Sequence, residues 1–211
     1  MKDHCPRLML ITNKGGSSTS SYLELIESYV KSGVTSVQLR EKSLSKEELL
    51  SFGTSLKNLL DLYHIPLIIN DHIDLCLKLN ASGVHLGQSD EEILRARAIL
   101  GPDKIIGLSV NTVVQVKEAN LLPLSYIGVG AIFPTISKLN VETIWGLKGL
   151  REVAAIALHP IVALGGINES NAHSVICSGA FGIAAIRAFH HTVSPHQTAT
   201  QLMNNIHGEK S

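Results

Sequence analysis

A single (β/α)8 TIM barrel spanning residues 1–211 is what this sequence predicts, and three observations carry the expectation. Short β-type runs alternate with longer amphipathic stretches eight times, at a spacing of roughly 26 residues. The β-type runs are almost continuously apolar, as strands covered on both faces must be. No composition break or linker divides the 211 residues into two parts. A doubly wound open sheet shares the alternation and is the alternative; eight units favour closure.

The elements follow in order. The β-type runs are "LMLITN", "TSVQLREK", "PLIIND", "GVHLGQSD", "IIGLSV", "YIGVGAIF", "PIVALGG" and "FGIAAIRA". Helical patterns lie in "SYLELIESYVKSG", "SKEELLSFGTSLKNLLDLYH", "EEILRARAIL", "VVQVKEANLL", "GLKGLREVAAIAL" and "NESNAHSVICSG". A last one, "PHQTATQLMNNIHG", closes the chain. Several begin after Ser, Asp or Asn and end near Gly or before Pro, as capping chemistry favours.

Composition narrows the function classes. With 45% hydrophobic and 17% charged residues the chain can bury a sizeable core, and only 4% of it is aromatic. Lys plus Arg (18) equal Asp plus Glu (18), so no basic field invites nucleic acid or an anionic membrane. Any bound anion must meet locally placed donors. Three scattered cysteines, Cys5, Cys76 and Cys177, predict no disulfide framework and fit a reducing cytoplasm. Cys76 and Cys177 lie in apolar helical patterns and are expected to be inert packing. No run reaches the ~20 apolar residues of a membrane span, and the N-terminus lacks a signal-peptide pattern. A homo-oligomer is compatible with the sequence.

Barrel chemistry sits where strands end. In "VQLREK" the period of two puts Gln38, Arg40 and Lys42 on one side and Leu39 and Glu41 on the other. An amide and two cations together make an anion clamp; a solvated strand end is the plainer reading. Asn70 and Asp71 end the third strand and Asp90 follows the fourth. Two carboxylates without convergent His or Cys suit a hard cation such as magnesium (Mg2+). Yet Asn-Asp also opens turns, and Asp90 before "EEIL" also caps a helix. Thr135, Ser137 and Lys138 after the sixth strand offer hydroxyls and an ammonium, or simply a polar turn. Gly165 and Gly166 let backbone N–H groups approach a ligand, in the loops where barrels frequently hold phosphate. The ten histidines form no metal-binding spacing, and His85 reads as packed within its strand.

The blocks "QLREK", "IINDHIDLCLKLNASGVHLGQSD", "IIGLSVNT", "YIGVGAIFPTISK" and "IVALGGINESNA" closely resemble the thiamine-phosphate synthase family, from about residue 8 to 190. The resemblance implies an Mg2+-dependent transferase of thiamine biosynthesis. It would join 4-amino-2-methyl-5-(diphosphooxymethyl)pyrimidine to 4-methyl-5-(2-phosphooxyethyl)thiazole, releasing diphosphate. It implies that Gln38, Leu39, Arg40, Glu41 and Lys42, with Asn70, Ser109 and Lys138, bind the pyrimidine diphosphate. Arg40, Lys42 and Lys138 would be the catalytic cations, and Asp71 and Asp90 the metal ligands. Thr135, Ile136, Ser137, Gly166, Ile186 and Arg187 would bind the thiazole phosphate.

Departures from the family pattern are specific. Ser137 replaces a usual Thr, Arg187 stands where Ser is common, and "LNVETIW" replaces a Pro-rich stretch after the lysine. Two rivals are a thiazole tautomerase-like paralogue and a catalytically silent binder of thiamine metabolites. Retention of "QLREK", both aspartates and Lys138 weighs against both, because neither needs a diphosphate clamp with metal ligands.

Overall fold

Eight parallel strands pair in chain order and close on themselves in the computed structural model, which describes residues 5–88, 93–136, 143–192 and 194–208. The strands are β1 (Leu8–Ile11), β2 (Ser36–Leu39), β3 (Leu67–Asn70), β4 (Gly83–Leu86), β5 (Ile105–Val110), β6 (Tyr126–Val129), β7 (Ile161–Leu164) and β8 (Gly182–Ala185). Closure sets Leu8 opposite Ile183 and Leu10 opposite Ala185. The expected barrel is what forms; the open sheet is not.

The strands are apolar throughout because both faces are covered. Leu8, Leu10, Val37, Leu39, Leu67, Ile69, Val84 and Leu86 point outward into a shell shared with the helices. Met9, Ile11, Ile68, Ile105, Tyr126, Val162 and Ala184 form a second cluster inside the barrel. Alternation therefore sorts residues between two apolar layers, each buried Leu or Ile contributing about 1.5–3 kcal/mol.

The helices on the outside are α1 (Thr19–Lys31), α2 (Lys46–Leu62), α3 (Ile73–Lys78), α4 (Ile93–Leu100), α5 (Val113–Ala119), α6 (Gly146–Ile156), α7 (Ala172–Cys177), α8 (Arg187–His190) and α9 (Pro195–His207). Three of their starts carry the side-chain caps expected, whereas Asn171 before α7 and Ser194 before α9 make no side-chain cap bond. Ser18 Oγ accepts from the N–H of Ser21, Thr112 Oγ1 from that of Gln115, and Ser45 and Glu48 form a reciprocal capping box. Pro195 opens α9, and Gly208 ends it at φ 78°. Among the described residues no helix is long and apolar enough to cross a membrane.

Three local expectations change. The stretch "HIDLCLK" holds the short helix α3, which six residues are too few to announce by periodicity. The β8 run stops at Ala185, and Arg187 is the first residue of α8 rather than a strand residue. Cys177 is exposed, with Sγ 3.4 Å from His173 Nε2, not packed. Cys76 is buried as expected, and burial pushes its thiol up to about 11.

Candidate active site

One cavity of about 1000 Å³ opens at the C-terminal ends of the strands. Its floor is the inner apolar cluster, including Met9, Tyr126, Val162 and Ala184. Its walls and rim are polar, because each strand's last inward residue and the turn after it no longer meet side chains from across the barrel.

After β2 the chain carries Gln38, Arg40 and Lys42 into the cavity lining. Leu39 instead packs in the outer shell, and Glu41 accepts the backbone N–H of Lys14 at 2.8 Å; neither lines the cavity. The alternation expected from sequence thus separates the five residues. Buried Thr12 stitches the β1 and β2 ends together: its N–H donates to Gln38 O and its Oγ1 accepts from Arg40 N, both at 2.9 Å. Burial lowers the pKa of Arg40, opposed by the carboxylates of Asp71 and Glu41. A guanidinium keeps its charge under such a shift, so Arg40 brings a poorly hydrated cation to the site.

After β3, Asn70 and Asp71 both line the cavity. Asp71 adopts a left-handed backbone at φ 66°, which Asp tolerates better than most residues. Its N–H donates to His85 O at 2.9 Å, and its carboxylate accepts from Asn70 Nδ2 at 2.5 Å. Asn70 and Asp71 thus turn the chain and line the cavity at the same time. The donors offered here are oxygens, as a hard cation prefers, and the buried thiols of Cys5 and Cys76 do not line the cavity. Among the described residues no group of three or more His, Cys, Asp and Glu side chains gathers as a metal site. Asp90, the other expected ligand, lies outside the described residues, as do Ser137 and Lys138.

Across the barrel, Gly165 (φ 92°) and Gly166 (φ 67°) turn the chain after β7. A Cβ on Gly166 would stand 2.7 Å from Phe133 Cβ and 2.8 Å from Pro134 O, so only glycine fits both backbone and space. The loop after β6 is zipped to this turn: Ile132 N donates to Leu164 O and Phe133 N to Gly165 O, each at 3.0 Å. That pairing carries Thr135 to the cavity beside Gly166, Ile186 and Arg187. Ile136 is 75% exposed and does not line it.

Ser109, expected at the pyrimidine, lines the cavity together with His85, Tyr126 and Gln88, to which sequence reading gave no functional role. His85, 8% exposed, is packed as expected yet also lines the cavity. Its Nδ1 lies 2.9 Å from the Tyr126 hydroxyl, and its Nε2 lies 2.8 Å from Ser109 Oγ. Gln88, on the rim, donates from Nε2 to Ser109 O at 2.7 Å. Strand alternation was the available signal: with Val84 and Leu86 facing the helices, His85 must face inward.

A closed barrel whose strand ends surround one deep polar cavity defines a barrel enzyme acting on small molecules. Comparison with known proteins narrows this class. A family model described as thiamine monophosphate synthase matches residues 8–189. The thiamine-phosphate synthase of Chlamydia abortus is 50% identical over 202 residues, 96% of this chain and 95% of that one. That of Albidiferax ferrireducens is 41% identical over 200 residues, covering 95% and 91%. The solved structure of thiamine phosphate pyrophosphorylase from Pyrococcus furiosus superimposes with a TM-score of 0.85 at 30% identity, covering 97% of each chain. The chain belongs to the thiamine monophosphate synthase family and is an enzyme of thiamine biosynthesis, a transferase.

Proposed function

We propose that the chain condenses 4-amino-2-methyl-5-(diphosphooxymethyl)pyrimidine with 4-methyl-5-(2-phosphooxyethyl)thiazole, giving thiamine phosphate and diphosphate. One observation carries the proposal. Two anion-handling ends, Gln38, Arg40, Lys42 and Asn70 on one side and Gly166 with Arg187 on the other, open into a single cavity. A diphosphate and a phosphate-bearing partner need two such ends within reach of one another.

On this reading the amides and cations after β2 and β3 hold the diphosphate. The bond from the pyrimidine's methylene carbon to the diphosphate oxygen breaks, and its electron pair leaves with the diphosphate. The electron-rich aminopyrimidine stabilises the resulting cation, and the lone pair of the thiazole nitrogen forms the new C–N bond. No protein base is required. Arg40, Lys42 and Lys138 act by opposing charge that develops on the leaving group, in a cavity sheltered from water. Asp71 and Asp90 are the proposed holders of Mg2+, whose chemistry when bound is to offset diphosphate charge. The cavity's apolar floor shields the short-lived cation from solvent.

The test is direct. Folded protein incubated with both substrates and Mg2+ should release thiamine phosphate and diphosphate in equal amounts. Authentic substrates and folded protein without product would refute the proposal.

A further inference from the structure

His85, Tyr126 and Ser109 stand on adjacent strands β4, β6 and β5, all facing into the barrel. The Tyr126 ring stacks on His85 with centroids 5.5 Å apart and planes at 27°. Two glycines make the room: a Cβ on Gly107 would lie 2.2 Å from the Tyr126 ring, and one on Gly128 would lie 2.8 Å from His85 Cε1. Both rings are therefore held in place.

Proton placement follows from what each group can satisfy. Tyr126 is 1% exposed, and among the described residues its hydroxyl has one partner, His85 Nδ1. A buried hydroxyl proton without an acceptor is costly, so Tyr126 donates and Nδ1 accepts. A neutral imidazole with an unprotonated Nδ1 carries its proton on Nε2. That N–H points at Ser109 Oγ, 2.8 Å away, which must accept it. A ring protonated at Nδ1, alone or at both nitrogens, would strand the Tyr126 proton. The Ser109 proton is thereby turned away from His85. Ser109 itself lines the cavity and, among the described residues, its hydroxyl meets no other group.

We infer that Tyr126 and His85 are positioning residues that fix Ser109 as a hydrogen-bond donor toward the cavity. The site then favours a flat heterocycle presenting an unprotonated ring nitrogen at that point, which takes the one free proton, over one presenting N–H there, which leaves that proton unused. On the function proposed above, the matching acceptor is a ring nitrogen of the pyrimidine. The inference rests on that reading for its ligand but not for its proton arrangement.

Two measurements test it. Ring 15N signals of the free, labelled protein report the tautomer, with His85 assigned by its loss in His85→Gln. Expected at neutral pH is an unprotonated Nδ1 and a protonated Nε2; a protonated Nδ1 overturns the inference. The second measurement is Tyr126→Phe, which keeps the ring and removes the donor. The KM for the pyrimidine diphosphate should rise about three- to tenfold while that for the thiazole phosphate holds. In a Ser109→Ala background the same change should add nothing. Equal loss on both substrates, or an undiminished effect without Ser109, means the pair is only structural. The ring measurement needs no substrate, so a chain that made no thiamine phosphate would still decide it.

Discussion

Gly166→Ala is the substitution whose cost the structure specifies most closely. A methyl group there forces an L side chain onto φ 67°, a penalty of about 1–2 kcal/mol. The new carbon also meets Phe133 Cβ at 2.7 Å and Pro134 O at 2.8 Å. One of those contacts is backbone, so the loop after β6 must move; overpacking of this kind costs about 1–3 kcal/mol. The sum, about 2–5 kcal/mol, corresponds to a Tm lower by roughly 4–20 °C for a chain of this size. The displaced loop carries Thr135, so the thiazole-phosphate KM should rise about tenfold, more than the pyrimidine KM. Thermal unfolding by circular dichroism and steady-state kinetics on each substrate measure the two effects. Gly16→Ala is the control, because a Cβ there meets nothing within 4 Å. A Gly166→Ala protein as stable and active as the control would refute the close approach of the β6 loop to the glycine pair.

Other perturbations probe other parts of the site. Asp71→Asn keeps a side chain that tolerates φ 66° and removes the charge, so turnover should fall about a hundredfold with Tm nearly unchanged. EDTA should mimic it, and full activity in metal-free buffer would remove Asp71 from the metal role. Arg187→Ser should raise the thiazole-phosphate KM several-fold and weaken its salt dependence, since the exposed guanidinium lines that end of the cavity; an unchanged KM would show that it serves solvent. Burial holds His190 below the ordinary 6.5, with its Nε2 2.6 Å from the Tyr22 hydroxyl. As pH falls through 6.5 the unfolded chain takes up a proton that folded His190 refuses, so stability drops until the folded pKa is passed. Denaturation series across that range should show a shallower acid limb in His190→Gln; identical limbs would clear His190 of the effect.

The barrel was legible because strand runs such as "PLIIND" and "PIVALGG" are apolar on both faces and end in turn residues. Arg187 was misplaced because "IAAIRA" carries no Gly or Pro to mark the break, which the backbone makes at Ile186, φ −107° and ψ −68°. The polar rim showed itself through period-two spacing at Gln38, Arg40 and Lys42. The His85–Tyr126–Ser109 chain did not. Its members are 24 and 41 residues apart, and only the register of β4 through β6 brings them together. His85 between two apolar neighbours looks like any core histidine until the barrel closes.

The layering inside that closed barrel has a consequence for how a molecule enters it. Polarity climbs along the axis, from Met9, Tyr126 and Val162 at the bottom, through Gln38, His85 and Ser109, to Arg40, Lys42 and Arg187 at the mouth. A compound with a flat, weakly solvated ring and a highly charged tail finds only one orientation downhill, ring first. Charge at the mouth attracts the tail, and the apolar floor favours the ring. The cavity therefore sorts head from tail before any hydrogen bond forms, reducing a three-dimensional search to a slide along one line.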